Sequence, residues 1–194
     1  MMDTAQIRSF FNQRAAHWDE TCFHHPDRLT AVAALAQIQK GDRVLDIGCG
    51  TGILVPQLLN YEPSSVLAVD FSEEMIASAR KKLEDSRVRF VAADFFEIEE
   101  GGFDKATLYS AYPHFPDKEK TARKMDSLLR PGGRFLIAHS EGREAINARH
   151  RQGAMAVSVP LKPVREEAAV WERYFRVDIL ADSDNFYLIS GIKA

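Results

Sequence analysis

The sequence predicts an α/β domain built around a buried parallel sheet. Two observations predict it. Short apolar runs rich in Val, Leu and Ile recur along the chain, separated by helix-competent segments, as β-α-β units require. One run, Arg43-Val44-Leu45-Asp46-Ile47, enters the loop Gly48-Cys49-Gly50-Thr51-Gly52, with glycine at every second position, and a helix-competent segment follows. Glycine reaches backbone angles closed to other residues and lets the main chain approach a ligand closely. The aliphatic run suits a strand buried in a parallel sheet. A flat, polar small molecule is therefore expected across the end of this first strand.

At 194 residues the chain suits one domain, 1–194, with a full core. Its 45% hydrophobic and 27% charged residues are ordinary for a soluble globular protein. A net charge of -3 gives no general attraction to nucleic acid or to an anionic membrane. Two cysteines, Cys22 and Cys49, make no disulfide framework and suit a reducing compartment. With no leader-like apolar segment and no run of membrane-spanning length, a cytoplasmic location is expected.

Taken in order, residues 3–18 read as a helix with Ile7, Phe10, Phe11 and Ala15 on one face. Pro26 starts a second helix, through Gln39, with Leu29, Val32, Ala33 and Leu35 inward, and Gly41-Asp42 turns into the first strand. After the glycine loop, residues 53–61 read as a helix whose Pro56 falls in the first turn, where a missing N–H costs little. Residues 65–70 form the second strand, ending in Asp70, about 20 residues beyond the glycine loop, the separation a ribose-binding acid takes. A carboxylate there accepts from both ribose hydroxyls. The alternative is a helix-capping Asp70, but Ser72 already serves as the cap of a helix over 72–83, with Met75, Ile76 and Ala79 inward. The third strand, 88–92, leads to Asp94, so acids end or follow three successive strands and point at one crevice. The fourth strand, 103–110, opens into Ala111-Tyr112-Pro113-His114-Phe115-Pro116, beside the switch point where such sheets bind ligands. A helix over 117–129, a turn at Arg130-Pro131-Gly132-Gly133 and a fifth strand over 134–139 follow. A helix over 164–173 and two strand-like runs, 175–180 and 186–192, joined by a turn at 182–185, close the chain.

On these motifs the chain resembles the class I S-adenosylmethionine-dependent methyltransferases, over roughly residues 10–139 by motif and at the end by architecture. The glycines run G-x-G-x-G rather than the G-x-G-x-x-G that seats a dinucleotide pyrophosphate. Asp46 closes the strand before them, residues 11–19 are similar to the family's N-terminal lid, and Leu129-Arg130-Pro131-Gly132-Gly133 matches its junction before the fifth strand. The resemblance implies a three-layer Rossmann-like fold, with a mostly parallel seven-stranded sheet ending in an antiparallel C-terminal hairpin. It divides the chain into covering helices (1–40), a cofactor-binding core (41–139), substrate-side helices (140–173) and the hairpin (174–194). It implies S-adenosylmethionine as cofactor, held by Asp46, Gly48, Cys49, Gly50, Gly52, Asp70, Phe71, Met75, Asp94, Phe95 and Ser110. Asp94 would meet the adenine amino group and Phe95 would flank the ring, while Met75 would pack on the adenosine or serve as plain core. Family members acting on nucleic-acid amines often carry Asn/Asp-Pro-Pro-aromatic after the fourth strand. Ser110-Ala111-Tyr112-Pro113-His114 departs from it, which disfavours DNA amino groups.

The acceptor side is individual to this chain. If 143–152 is helical, Asn147 and His150 lie three apart on one face with Arg143 one turn below. His139 ends the fifth strand near His114, so His114, His139 and His150 are candidates for general base, substrate orienter or metal ligand. The plainer alternative is that Asn147 braces the loop and histidines bond the backbone. Their spacing matches no closed metal motif, and no metal is expected. Trp18, Tyr112, Phe115 and Asn147 are the candidate substrate-binding residues. The expected activity is in-line methyl transfer to a small molecule, with homo-oligomerisation left open. The alternatives are an RNA or protein methyltransferase, with a basic stripe around Arg143, Arg149 and Arg151 favouring RNA, and a non-catalytic cofactor-binding regulator.

Overall fold

The structure is a computed structural model that describes residues 4–194. Seven strands form one sheet in the order β3-β2-β1-β4-β5-β7-β6. They are β1 (Arg43–Ile47), β2 (Ser65–Asp70), β3 (Val88–Ala92), β4 (Phe103–Tyr109), β5 (Leu129–His139), β6 (Phe175–Asp182) and β7 (Tyr187–Lys193). β1 to β5 pair in parallel, and β7 pairs antiparallel with both β5 and β6. Order reverses between β1 and β4, so the carboxyl ends of these two strands flank the topological switch point.

Side-chain alternation along the strands sends successive residues to opposite faces. Val44, Val66 and Ala68 pack with α3 (Pro26–Leu35), α4 (Val55–Leu59) and α5 (Glu73–Lys82). Leu45, Ile47 and Leu67 pack on the other face with α6 (Lys118–Leu128), α7 (Arg143–Gly153) and α8 (Val164–Trp171). That makes the expected three layers. The second core is aromatic where Trp171 stacks on Phe135 at 4.5 Å.

Two helices stop short of their expected spans next to left-handed residues, and the N-terminal one is broken. The helix predicted through Gln39 ends at Leu35, because Gln37 adopts φ 53°. The one predicted over 53–61 is confined to Val55–Leu59, with Glu62 at φ 51° just beyond. The N-terminal helix runs as α1 (Thr4–Arg14), a 3-10 turn (Ala15–His17) and α2 (Trp18–Thr21), broken where His17 leaves helical angles. Its expected start at Asp3 lies outside the described residues. The Arg130–Gly133 turn is absorbed into β5, which pairs Leu129 with Phe103 before its register shifts. Among the described residues, no helix is long and apolar enough to cross a membrane.

Candidate functional site

The carboxyl ends of β1, β2 and β4 open on a crevice of about 510 Å³, within the range of small-molecule sites. Asp46, Asp70 and Asp94 all line it. Asp46, 2% exposed, accepts a hydrogen bond from Thr107 Oγ1 at 2.7 Å. Burial pushes its carboxyl up to about 7 against that hydrogen bond, and the charge of Asp70 adds to the rise. Asp70 accepts from the backbone N–H of Gly50 and of Ser72, both at 2.9 Å. Burial raises it to about 6, and those N–H groups hold it from going higher. Asp94 accepts from the N–H of Phe96 at 2.9 Å, capping the 3-10 turn Phe95–Glu97.

Gly48 at φ 62° and Gly50 at φ 53° take left-handed angles, and both line the crevice. A Cβ on Gly48 would stand 2.8 Å from that of Ala111, whereas around a Cβ on Gly50 nothing lies within 4 Å. Bare backbone at Gly50 thus faces open crevice, a cradle that a side chain would fill. Cys49, Phe71, Met75, Phe95 and Ser110 also line it, Ser110 at the strained φ of 56°. Burial raises the Cys49 thiol far above its usual range, so it stays protonated. Gly52 is a correction. It lies off the crevice, where an added Cβ would meet the Phe90 ring at 3.2 Å, so its role is close packing of loop and sheet.

The N-terminal segment roofs the crevice. Phe11 lies edge-on to Trp18, Phe71 and His114, with ring centroids 5.6, 6.2 and 4.9 Å away. Ser72 Oγ donates to Asn12 Oδ1 at 2.6 Å. Asp19 accepts from Thr51 Oγ1 in the glycine loop and from Lys82 Nζ, both at 2.6 Å.

Of the acceptor-side candidates, Trp18, Phe115 and His114 line the crevice and four do not. Tyr112 is fully buried on the far side, donating to Glu167 Oε2 at 3.1 Å and accepting from Trp171 Nε1 at 3.0 Å. Asn147 spends its amide on both backbone groups of Leu161, at 2.8 and 2.9 Å, so it braces the chain instead of facing substrate. His139 is 2% exposed beneath the site, and its Nε2 finds no partner among the described residues. His150 sits behind His114, with ring centroids 5.3 Å apart. His114 Nδ1 lies 2.8 Å from Val157 O, which accepts only, so Nδ1 carries the proton and Nε2 the free lone pair. Burial drives His114 down to about 4, with lesser pushes from His150 and Lys118. Among the described residues, no group of His, Cys, Asp and Glu is arranged to hold a metal ion. The basic stripe is largely neutralised: Arg143 pairs with Glu144 and Asp182, and Arg149 with Glu141.

Sequence reasoning missed Thr51, His24 and Tyr109, which also line the crevice. Tyr109 had a signal, being the last residue of β4. His24 lies in an irregular stretch between helices, where no periodicity marks a site.

The methyltransferase domain family matches residues 38–182 of the chain. The chain is 30% identical over 136 residues to the 27-O-demethylrifamycin SV methyltransferase of Amycolatopsis mediterranei, covering 65% of this chain and 50% of that one. It spans half or less of the length of the curated relatives it matches. In fold it is similar to the N-methyltransferase NodS of Bradyrhizobium japonicum, solved with S-adenosyl-L-homocysteine (TM-score 0.75, 15% identity, 96% and 98% of the two chains). It is similar too to an S-adenosylmethionine-dependent methyltransferase of Mesorhizobium loti (TM-score 0.71, 21% identity, 84% and 96%). With three quarters of its length matched and its sheet reversing at an acid-lined crevice, the chain belongs to the class I S-adenosylmethionine-dependent methyltransferases.

Proposed function

We propose that this chain transfers a methyl group from S-adenosylmethionine to a small-molecule acceptor. The observation that carries the reading is the crevice at the switch point, where three strand-end carboxylates converge beside open backbone at Gly50. When bound, the cofactor supplies a methyl group made electrophilic by its sulfonium. Asp70 would accept from the ribose hydroxyls with the lone pairs left beyond Gly50 N and Ser72 N. Asp94 would accept from the adenine amine with Phe95 and Met75 against the rings, and Asp46 and the Gly48–Gly50 backbone would hold the charged tail. Phe11 and Trp18 exclude water from above, which favours neutralising a cation in transit. Holding donor and acceptor aligned supplies on the order of 7–11 kcal/mol of the barrier reduction. His114, with Nε2 free, serves as a neutral hydrogen-bond acceptor at the acceptor end. A small acceptor accords with the roofed, largely apolar crevice and with paired arginines outside it. The free cysteines accord with a cytoplasmic protein.

Isothermal titration with S-adenosylmethionine and S-adenosylhomocysteine tests the reading. Both are expected to bind, and Asp70→Ala is expected to weaken them about 10- to 100-fold, the worth of a hydrogen bond to a charged group. Transfer from methyl-labelled donor to a small-molecule panel then tests turnover. No binding of either nucleoside would end the proposal.

A further inference from the structure

Where β4 and β5 end, a hydrogen-bonded chain meets the crevice and has no part in the proposed function. His24 Nδ1 lies 2.7 Å from Tyr109 Oη, and Tyr109 Oη lies 2.7 Å from Ser140 Oγ. His24 and Tyr109 both line the crevice. Three elements meet here: the segment after α2 brings His24, β4 ends in Tyr109, and Ser140 follows β5. Arg28 of α3 ties the assembly down, donating to Ser140 O at 2.6 Å and to Asn185 Oδ1 at 2.7 Å.

Two proton orders fit this chain. Burial pushes the Tyr109 phenol up to about 12, so it keeps its proton at neutral pH. It can accept from His24 Nδ1–H while donating to Ser140 Oγ, or donate to Nδ1 while accepting from Ser140 Oγ–H, and the subsite below uses the first order. In that order His24 Nε2 keeps its lone pair, and it makes no hydrogen bond to the described residues. Burial holds the His24 imidazole below its usual range, so it is neutral at pH 7. The charges that face it are Glu141 and Arg149, which pair with each other, and Asp19 of α2, which is spent on Lys82 and Thr51. Cys22, close by, is raised by burial and uncharged.

We infer that His24, oriented by Tyr109, and the aromatic wall of Phe11, Trp18 and His114 form a subsite for a phenolic hydroxyl compound, whose proton His24 receives. This rests on the methyltransferase reading. In the proton step the acceptor's O–H bond breaks, its electron pair stays on oxygen for the methyl group, and the proton forms the N–H bond of an imidazolium at Nε2. The Nδ1–H bond to Tyr109 steadies that cation, as an orienting partner does for a catalytic imidazole. A hydroxyl fits better than an ammonium. A buried ammonium needs an ionised partner, and the carboxylates at hand are committed, Asp19 to Lys82 and Thr51, and Asp46, Asp70 and Asp94 to the donor in the proposed function. An anionic acceptor fits worse, because Asp46, Asp70 and Asp94 line the same crevice.

The test uses fluorine NMR on the whole chain, with para-fluorophenol against para-fluoroanisole, in the presence and absence of S-adenosylhomocysteine. The phenol is expected to bind about five- to tenfold more tightly than the ether, the worth of one hydrogen bond. That preference should vanish as acid protonates His24 below about pH 6.5. His24→Gln should reduce the preference and remove its pH dependence while S-adenosylhomocysteine still binds. Tyr109 is a positioning residue, so Tyr109→Phe is read by nitrogen NMR of the imidazole: the single Nδ1–H tautomer should become a mixture. Should His24→Gln not fold, the acid titration and tautomer of the unaltered chain decide the matter. Equal affinity for phenol and ether, or a preference untouched by acid, overturns the inference and leaves the function standing. A His24-dependent phenol preference without S-adenosylhomocysteine binding overturns the function and leaves the hydroxyl subsite.

Discussion

Asp46 and Asp70 stand near the carboxyl ends of paired parallel strands, Asp46 in register with Ala68, and burial raises both carboxyls above the ordinary carboxylate range. In the fold they titrate at about 7 and about 6, above the ordinary aspartate value of 3.8. The native chain therefore binds more protons than the unfolded one over that interval. The stability so gained is complete below the unfolded value and is lost as pH rises through the folded values. A cationic donor needs the opposite, both carboxylates ionised, so its affinity should climb with pH and level off above about 7. Asp46→Asn separates the two demands. It keeps an oxygen for Thr107 Oγ1–H, so urea melts above neutral pH should show the free chain more stable by about 2–4 kcal/mol. Titration should show donor affinity reduced about tenfold or more. These acids were legible in the sequence because strand ends at a glycine loop announce themselves. Tyr112 and Asn147 were not: which side of the sheet the 3-10 turn after Ser110 sends a tyrosine, and that Leu161 would supply a backbone pair for an amide, depend on contacts between segments far apart in sequence.

At the scale of the element, the lid is the part that sequence and energetics leave least secure. α1 and α2, of 11 and 4 residues, are too short to persist alone. They are fastened through Phe11 among three rings, Asn12 on Ser72 and Asp19 on Thr51 and Lys82. The Asp19–Lys82 pair is partly exposed and contributes at most about 1 kcal/mol. The Thr51 bond matters more, because it joins the lid to the glycine loop that the proposed function gives to the donor. Asp19→Ala should leave global urea stability within about 1 kcal/mol while hydrogen exchange over α2 quickens about tenfold and the donor dissociates faster. Unchanged exchange over α2 would show the lid held by its other contacts, without Asp19. The strands were read closely, 65–70 and 88–92 to the residue, since a buried parallel strand is an unbroken aliphatic run. Helix ends were overrun through Gln37 and up to Glu62, because neither is the glycine that usually marks a left-handed stop.

For the molecule as a whole, acid sets two groups of buried side chains against each other. His24, His114, His139 and His150 are all lowered, first by burial. A lowered histidine contributes stability above the unfolded value of 6.5 that is lost as pH falls through the folded value, about 4 for His114. Asp46 and Asp70 gain stability on descent from about 7, over much of the same interval. The two trends offset, so the free chain should be nearly flat in stability across that window, and single substitutions should tilt it in opposite senses. Asp46→Asn removes part of the acid-side gain and should leave a chain that weakens steadily as pH falls. His139→Leu removes a buried imidazole whose Nε2 has no partner among the described residues, and leaves the crevice lining untouched. It should stabilise the chain by about 1–3 kcal/mol at pH 7 and by more in acid, with S-adenosylhomocysteine affinity unchanged. Urea midpoints across a pH series decide this. If both variants keep the slope of the unaltered chain, buried charge is not what governs its acid behaviour.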